Sequence, residues 1–176
     1  MEHVEINAGE FYLRQLRADD LMDDRPALVE AFTDPVFRRF EPKLAVTTLD
    51  EAGAYIVRRD AEWAGDQRYA WAIAEPTTGA LLGETGIKNL DLAAGTGEAA
   101  IWLHPAARGR GAATVSLGAV LRFAFGAVGL TEIRYLHSEA NSASRAVAER
   151  CGFSYDGLFG EDMPGLGRGV RWVLTA

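Results

Sequence analysis

Arg108, Gly109, Arg110 and Gly111 stand between an apolar run, Ala99 to Leu103, and a segment from Thr114 to Val128 that carries apolar residues at helical spacing. Pro105 ends the run. Glycine permits a tight turn and lets backbone N–H groups reach a ligand with no Cβ in the way. The first-turn amides of a helix have no internal partner, and the macrodipole adds partial positive charge beside them. A strand running through such a turn into a helix is suited to hold an anion, and two guanidinium groups flank this one. An ordinary turn with exposed arginines would present the same bare G-x-G. A dinucleotide fingerprint needs a third glycine and a P-loop needs Gly-Lys-Ser/Thr, so neither of those phosphate sites is indicated.

The elements that must carry this junction are legible in outline. Phe11 to Arg17 alternates as a first strand, with Phe11 and Leu13 on one face. Asp23 or Asp24 caps a short helix with Pro26 in its first turn, and Asp34-Pro35 ends it. Thr48-Leu49-Asp50-Glu51 is a capping box, and Ala52, Tyr55, Ile56, Arg59 and Trp63 mark the helix that follows, to near Gly65. Tyr69 to Glu75 and Ala80 to Leu90 form a hairpin around Pro76-Thr77-Thr78-Gly79. After the central strand and helix come a strand at Glu132 to His137, a helix at Asn141 to Arg150 closed by Gly152, and strands at Phe153 to Phe159 and Val170 to Thr175. The loop between the last two, with Gly160, Gly165, Gly167 and Gly169, is expected to be mobile. The order is that of an α/β (α+β) protein with a mixed, mostly antiparallel sheet of seven strands and about four helices.

Composition narrows the function. The 176 residues, 48% hydrophobic and 24% charged, suit one domain over 1–176. A net charge of -7 argues against binding a phosphate backbone, since nucleic-acid binders present a basic face. Cys151 is the single cysteine, so no internal disulfide forms, and a reducing cytoplasmic compartment is expected. His3, His104 and His137 have no metal-ligand spacing, so no metal is expected. No apolar stretch has the length of a signal-peptide core or of a membrane span of roughly 18 residues.

Arg108-x-x-Gly111-x-Ala113 after a strand resembles the acetyl-CoA pyrophosphate motif, Q/R-x-x-G-x-G/A, of the GNAT N-acetyltransferase superfamily. Asn141-x-x-Ser144, followed by Glu149-x-Cys151-Gly152-Phe153, is similar to the family's second block and arrives about thirty residues later. Leu82-Gly83-Glu84 and Leu13-Arg14 with Asp19-Asp20 extend the likeness from Phe11 to the C-terminus, and the branch it most resembles is the RimJ/RimL type, which acetylates protein N-terminal amines. The resemblance implies the GNAT fold, and acetyl-CoA as co-substrate. It implies that pantetheine pairs with the backbone of Ile101, Trp102 and Leu103. The pyrophosphate would lie on the amides from Gly109 through Ala112 and Ala113 to Thr114, with Arg108 and Arg110 close by, and Asn141 and Ser144 would face the pantetheine arm. The side chains of Ile101 and Leu103 are expected to pack the core. Asn141 and Ser144 also have plain roles, as an N-cap and a helix-start hydroxyl.

Acetyl transfer needs a neutral amine, a donor for the departing thiolate and a proton acceptor. Many relatives place an acidic tyrosine four residues before the glycine of Gly-Phe; here that position is Ala148, and Ser144 is the nearest hydroxyl. For the base the candidates are Glu98, which opens the central strand, and Glu84 in the strand before it; each is equally readable as a solvent-facing strand carboxylate. An α-amine is easier to deprotonate than lysine by roughly 3 kcal/mol at neutral pH, so a site without an obvious acid–base pair suits a protein or peptide N-terminus, transferred to directly in a ternary complex. Asp19, Asp20, Asp23, Asp24, Glu161 and Asp162 are placed by the resemblance near the acceptor cleft, where they would draw a cationic acceptor. Transfer of another acyl group such as succinyl, an antibiotic or polyamine acceptor, and a non-catalytic acyl-CoA-binding regulatory module are the competing functions. The expected partners are acetyl-CoA and an amine, with no nucleic acid or membrane, in a monomer or homodimer.

Overall fold

Asp34 does two jobs that its dipeptide with Pro35 conceals. In the computed structural model, which covers Met1–Ala176, helix α1 (Arg25–Thr33) ends at Asp34, and the Asp34 carboxylate then accepts a hydrogen bond from the Phe37 N–H at 3.1 Å and caps a second helix, α2 (Pro35–Phe40). Proline is welcome there because a first-turn residue has no N–H to satisfy. Asp34-Pro35 reads in the sequence only as a stop, and the chain has five helices where about four are expected from it. Helix α3 (Leu49–Ala64) begins as read, with Thr48 accepting from the Glu51 N–H and Glu51 answering to the Thr48 backbone. It buries Ala52, Tyr55, Ile56, Arg59 and Trp63 along one stripe.

The strands are β1 (Ile6–Asn7), β2 (Tyr12–Arg14), β3 (Arg68–Ala74), β4 (Leu81–Asp91), β5 (Thr96–Leu103), β6 (Glu132–Ser138), β7 (Ser154–Met163) and β8 (Gly167–Thr175). They form one sheet in the order β1-β2-β3-β4-β5-β6-β8-β7, eight strands where seven were expected. The extra one is the two-residue β1, too short for alternation to reveal. Every pairing is antiparallel except β5 with β6. The glycine-rich segment after Phe159 is not the long loop expected: β7 runs on to Met163, β8 starts at Gly167, and the two pair as a hairpin.

Helix α4 (Ala112–Phe123) crosses from β5 towards β6, passes into one π turn at Ala124–Val128 and stops at left-handed Gly129. Helix α5 (Ser142–Arg150) follows β6. Alternate residues of the central strands feed two apolar clusters, one on each face. Tyr69, Trp71, Ile73, Ile87, Ala99 and Ile101 pack with α4 and with Phe153, whereas Ala72, Leu81 and Trp102 pack with α1, α2 and α3. This layering sets β5 at the centre with helices over both of its faces.

Candidate active site

The two neighbours of β5 treat it differently. On one side it pairs with β4 along its length, from Lys88↔Glu98 to Gly83↔Leu103. On the other the parallel ladder with β6 runs from Thr96↔Glu132 only to Ala99↔Tyr135, after which β6 continues alone against β8 as far as Ser138. The backbone groups of Ala100–Leu103 on that side therefore have no strand to pair with, and backbone polar groups away from water need partners. A ligand carrying amides can supply them as an added strand does. The wedge opens into a cavity of about 530 Å³ lined by β5, the end of β6, the start of α5, and α2 and α3.

At its rim the glycine turn has the geometry its sequence called for. Gly109 and Gly111 both sit at φ +77°, a conformation costly for other residues, and Gly111 is the N-cap of α4. No side chain caps the helix, and the Val115 N–H is the first to bond back, to the Gly111 carbonyl at 3.1 Å. The amides of Ala112, Ala113 and Thr114 thus stay as donors at the positive end of the helix. The two arginines are engaged elsewhere: Arg108 donates to Asp34 Oδ2 at 2.7 Å, and Arg110 pairs with Glu75. In each pair the arginine is exposed and its carboxylate partner half-buried, and pairs open to water on one side are weak enough to yield to a stronger anion. Ile101 and Leu103 pack against the larger core cluster as expected. Trp102 points to the other face, edge-on to Phe32 and Phe37, with its buried Nε1 lacking a partner.

Asn141 is the N-cap of α5, its Oδ1 accepting from the Ser144 N–H at 3.0 Å, and it lines the cavity beside Ser142 and Ser144. The capping bond uses the amide oxygen and leaves Nδ2 as a donor. Ala148 is fully buried, so the helix position where a tyrosine was sought faces the core. A phenol reaches the site from another element. Tyr135, on β6 at the point where the ladder ends, lines the cavity next to Ser144; burial pushes it up to about 12, with the Ser144 hydroxyl acting in the opposite direction. Nothing in the alternation of Glu132 to His137 distinguished Tyr135 from a core residue.

Three carboxylates line the cavity. Glu84 accepts hydrogen bonds from Tyr55 Oη at 2.9 Å and from Arg59 Nε at 3.1 Å, with Arg68 at 3.9 Å. Glu62 closes this network, 2.6 Å from Arg59 and 3.2 Å from Arg68. Burial, and then the Glu84 charge, raises the Tyr55 phenol far above its ordinary value. Glu98 is held by Lys88 Nζ at 2.7 Å and by Asn89 Nδ2 at 3.0 Å. Neither is the free, solvent-facing carboxylate that a strand position suggested. The third, Glu41, closes α2, is solvent-exposed and has no cation within ion-pair distance; partial desolvation by the surrounding protein raises it from its ordinary value.

The acidic residues expected to flank the acceptor are not in this cavity. Asp24 is buried in an ion pair with Arg14, Asp23 is paired with Arg25, and Asp19 with Arg17. Glu161 and Asp162 sit exposed on the edge strand β7. Cys151 also lies outside the cavity, with its Sγ 3.8 Å from the Thr114 carbonyl, and burial pushes its thiol up to about 11. Little thiolate is present at neutral pH, and the thiolate is the nucleophile. Cys151→Ala is expected to keep most of the activity, and mass spectrometry of the wild-type protein with its acyl donor should find no acyl-cysteine. A trapped acyl-cysteine would establish a covalent route.

A family model described as an acetyltransferase (GNAT) domain matches residues 10–154. A search of curated proteins gives no match. Among solved structures, RimJ from Mycobacterium smegmatis in complex with CoA-disulfide superposes with TM-score 0.82 at 22% identity, covering 99% of this chain and 87% of that one. Ribosomal-protein-S5-alanine acetyltransferase from Vibrio fischeri gives TM-score 0.82 at 14% identity over 98% and 96% of the two chains. The microcin C7 self-immunity acetyltransferase MccE, in complex with acetyl-CoA and AMP, gives 0.78 at 17% identity over 95% and 93%. At these identities the likeness is one of fold, and the family match spans both the glycine turn and the start of α5. With the splayed central strand, the left-handed glycine turn and that match in hand, the chain belongs to the GNAT acetyltransferase family.

Proposed function

We propose that the protein transfers an acetyl group from acetyl-CoA to a primary amine, most favourably an α-amine such as a protein or peptide N-terminus, directly within a ternary complex. The observation that carries this reading is the end of the parallel ladder at Ala99↔Tyr135 beside an uncapped helix N-terminus. Pantetheine amides would pair with the free edge of Ala100–Leu103, the Asn141 amide would reach the same arm, and the pyrophosphate would rest on the amides of Gly109 to Thr114. The MccE complex with acetyl-CoA and the RimJ complex with CoA-disulfide support the choice of cofactor.

The amine nitrogen attacks the thioester carbonyl, a C–N bond forms, the C–S bond breaks and the CoA thiolate departs. One proton must leave the ammonium and one must reach the sulfur. Ser144, backed by the buried Tyr135 phenol, is suited to the second task. For the first, Glu84 and Glu98 stand in the cavity, but their carboxylate oxygens are already engaged by Arg59 and Tyr55 and by Lys88 and Asn89.

Gly111→Asp tests the cofactor site. A Cβ there meets no protein atom within 4 Å, but the left-handed backbone at φ +77° strains any other residue, so Gly111→Ala is the control and the further loss in Gly111→Asp comes from a carboxylate set against the pyrophosphate. Calorimetry should find acetyl-CoA binding weakened by at least ~2 kcal/mol, about 30-fold. Equal affinity in a folded mutant would remove the glycine turn from the site.

A further inference from the structure

Of the three carboxylates that line the cavity, two are engaged with protein cations and the third is not. Glu84 is bound to Tyr55 and Arg59, and Glu98 to Lys88, whereas Glu41 has no ion-pair partner. Its backbone is held in place: the Glu41 N–H bonds to the Phe37 carbonyl at 2.9 Å and its own carbonyl accepts from the Leu44 N–H at 3.1 Å. Apolar residues close to it in the chain line the same cavity: Val36, Phe37 and Phe40 from α2, and Leu44 just after it. Glu41 itself is exposed, so its carboxylate is open to a ligand entering the cavity and has no protein cation to displace.

We propose that Glu41 receives the ammonium of the acceptor and takes its proton, and that the acceptor is a monocationic primary amine whose neighbouring group is apolar. This rests on the acetyltransferase reading above and specifies its acceptor. The charges facing Glu41 come from every side of the cavity: Arg68 on β3 and Lys88 on β4 favour its ionised form, and Glu98 on β5 opposes it; Tyr135 on β6 also faces it. Arg39 and Arg108 line the same cavity. One free negative charge and several cations suit a single ammonium and repel a polyamine, which would bring two or more positive charges against one carboxylate. The wall of Val36, Phe37, Phe40 and Leu44 then takes the side chain next to the amine, as in a chain that begins with an aliphatic residue.

The balance is simple. The ammonium gives a proton to the Glu41 carboxylate, the freed lone pair attacks the thioester, and the protonated Glu41 returns its proton to solvent as product leaves. A carboxylate held above its usual range is a better match to this task than one clamped by lysine or arginine.

Binding can be read without turnover by titrating leucinamide into protein saturated with CoA, followed by calorimetry. Wild type should bind leucinamide more tightly than spermidine. Glu41→Gln should weaken leucinamide at least tenfold while CoA affinity is unchanged, and Glu41→Asp should restore part of it. Affinity in the wild type should fall as the pH drops through the range where Glu41 protonates, and that dependence should vanish in Glu41→Gln. In a coupled thiol-release assay with acetyl-CoA and a leucine-initiated peptide, Glu41→Gln should lose about 10²-fold in kcat. Tighter spermidine binding, or leucinamide binding undisturbed by Glu41→Gln, overturns the proposal. Absence of acetylation with any amine refutes the transferase reading instead, and the titration still decides whether Glu41 holds an ammonium.

Discussion

Asp24→Ala is expected to cost about 3–5 kcal/mol of folding stability, the range for removing one partner of a buried ion pair. Asp24 and Arg14 are only 3% and 5% exposed, and their contact is bidentate, with both guanidinium nitrogens 2.8 Å from the two carboxylate oxygens. Asp24 also accepts from the Arg17 N–H at 2.8 Å, and Arg14 donates to the Gln15 and Gly79 carbonyls. The pair thereby ties β2, the β3–β4 turn and the start of α1 together. Without the carboxylate, a guanidinium remains buried among carbonyls alone. Urea unfolding should show a lower midpoint with an unchanged slope. Asp23→Ala, which removes an exposed pair next door, should leave the midpoint where it was. Equal midpoints for both variants would show that the buried pair does not hold these elements.

Glu84→Gln is expected to cost about 3 kcal/mol for the same reason, since it leaves Arg59 buried with Glu62 as its remaining carboxylate. The network also offers a sharper readout. Arg59→Met alone strands Glu84 beside the Tyr55 hydroxyl, whereas the double variant Glu84→Gln with Arg59→Met strands neither charge. The cycle should therefore be non-additive by ~1–3 kcal/mol, the double variant being less destabilised than the sum of the singles. Strict additivity would mean that the two side chains do not act as a unit. Because the network forms one wall of the cavity, the variants should also bind amine less well than the wild type.

What the sequence disclosed and what it hid follow a physical division. The strand-turn-helix at Ala99 to Thr114 and the capping box at Thr48 are local: glycine conformations and cap side chains act within a few residues, so their types and spacing announce them. The α2 helix was hidden because Asp34 reads as an end while serving also as a beginning. The β7–β8 hairpin was hidden because glycines that favour a loop were accommodated inside strands with irregular register between Phe159 and Met163. Site chemistry was harder still. Glu84 and Glu98 were visible as strand carboxylates, but the cations that hold them, Arg59 on α3 and Lys88 on β4, meet them only through tertiary packing. Glu41 and Tyr135 carried no motif at all; only the splay between β5 and β6 and the placement of α2 beside it bring them to one cavity. Asp24 shows the converse, an acidic residue that the family resemblance set near the acceptor cleft and whose partner proved to be Arg14.

The central claim is that the splayed strand and the glycine turn hold acetyl-CoA for direct transfer to an amine. Its most direct test is incubation of the purified protein with acetyl-CoA and a mixed panel of aliphatic-initiated peptides, N-terminally blocked lysine peptides and polyamines, with the products identified by mass spectrometry. The account predicts one added acetyl group on the α-amine of the aliphatic-initiated peptides, thiol released in equal amount, and both lost in Gly111→Asp. Acetylation that persists in Gly111→Asp, or acetyl-CoA bound by the wild type with no amine modified, would contradict it.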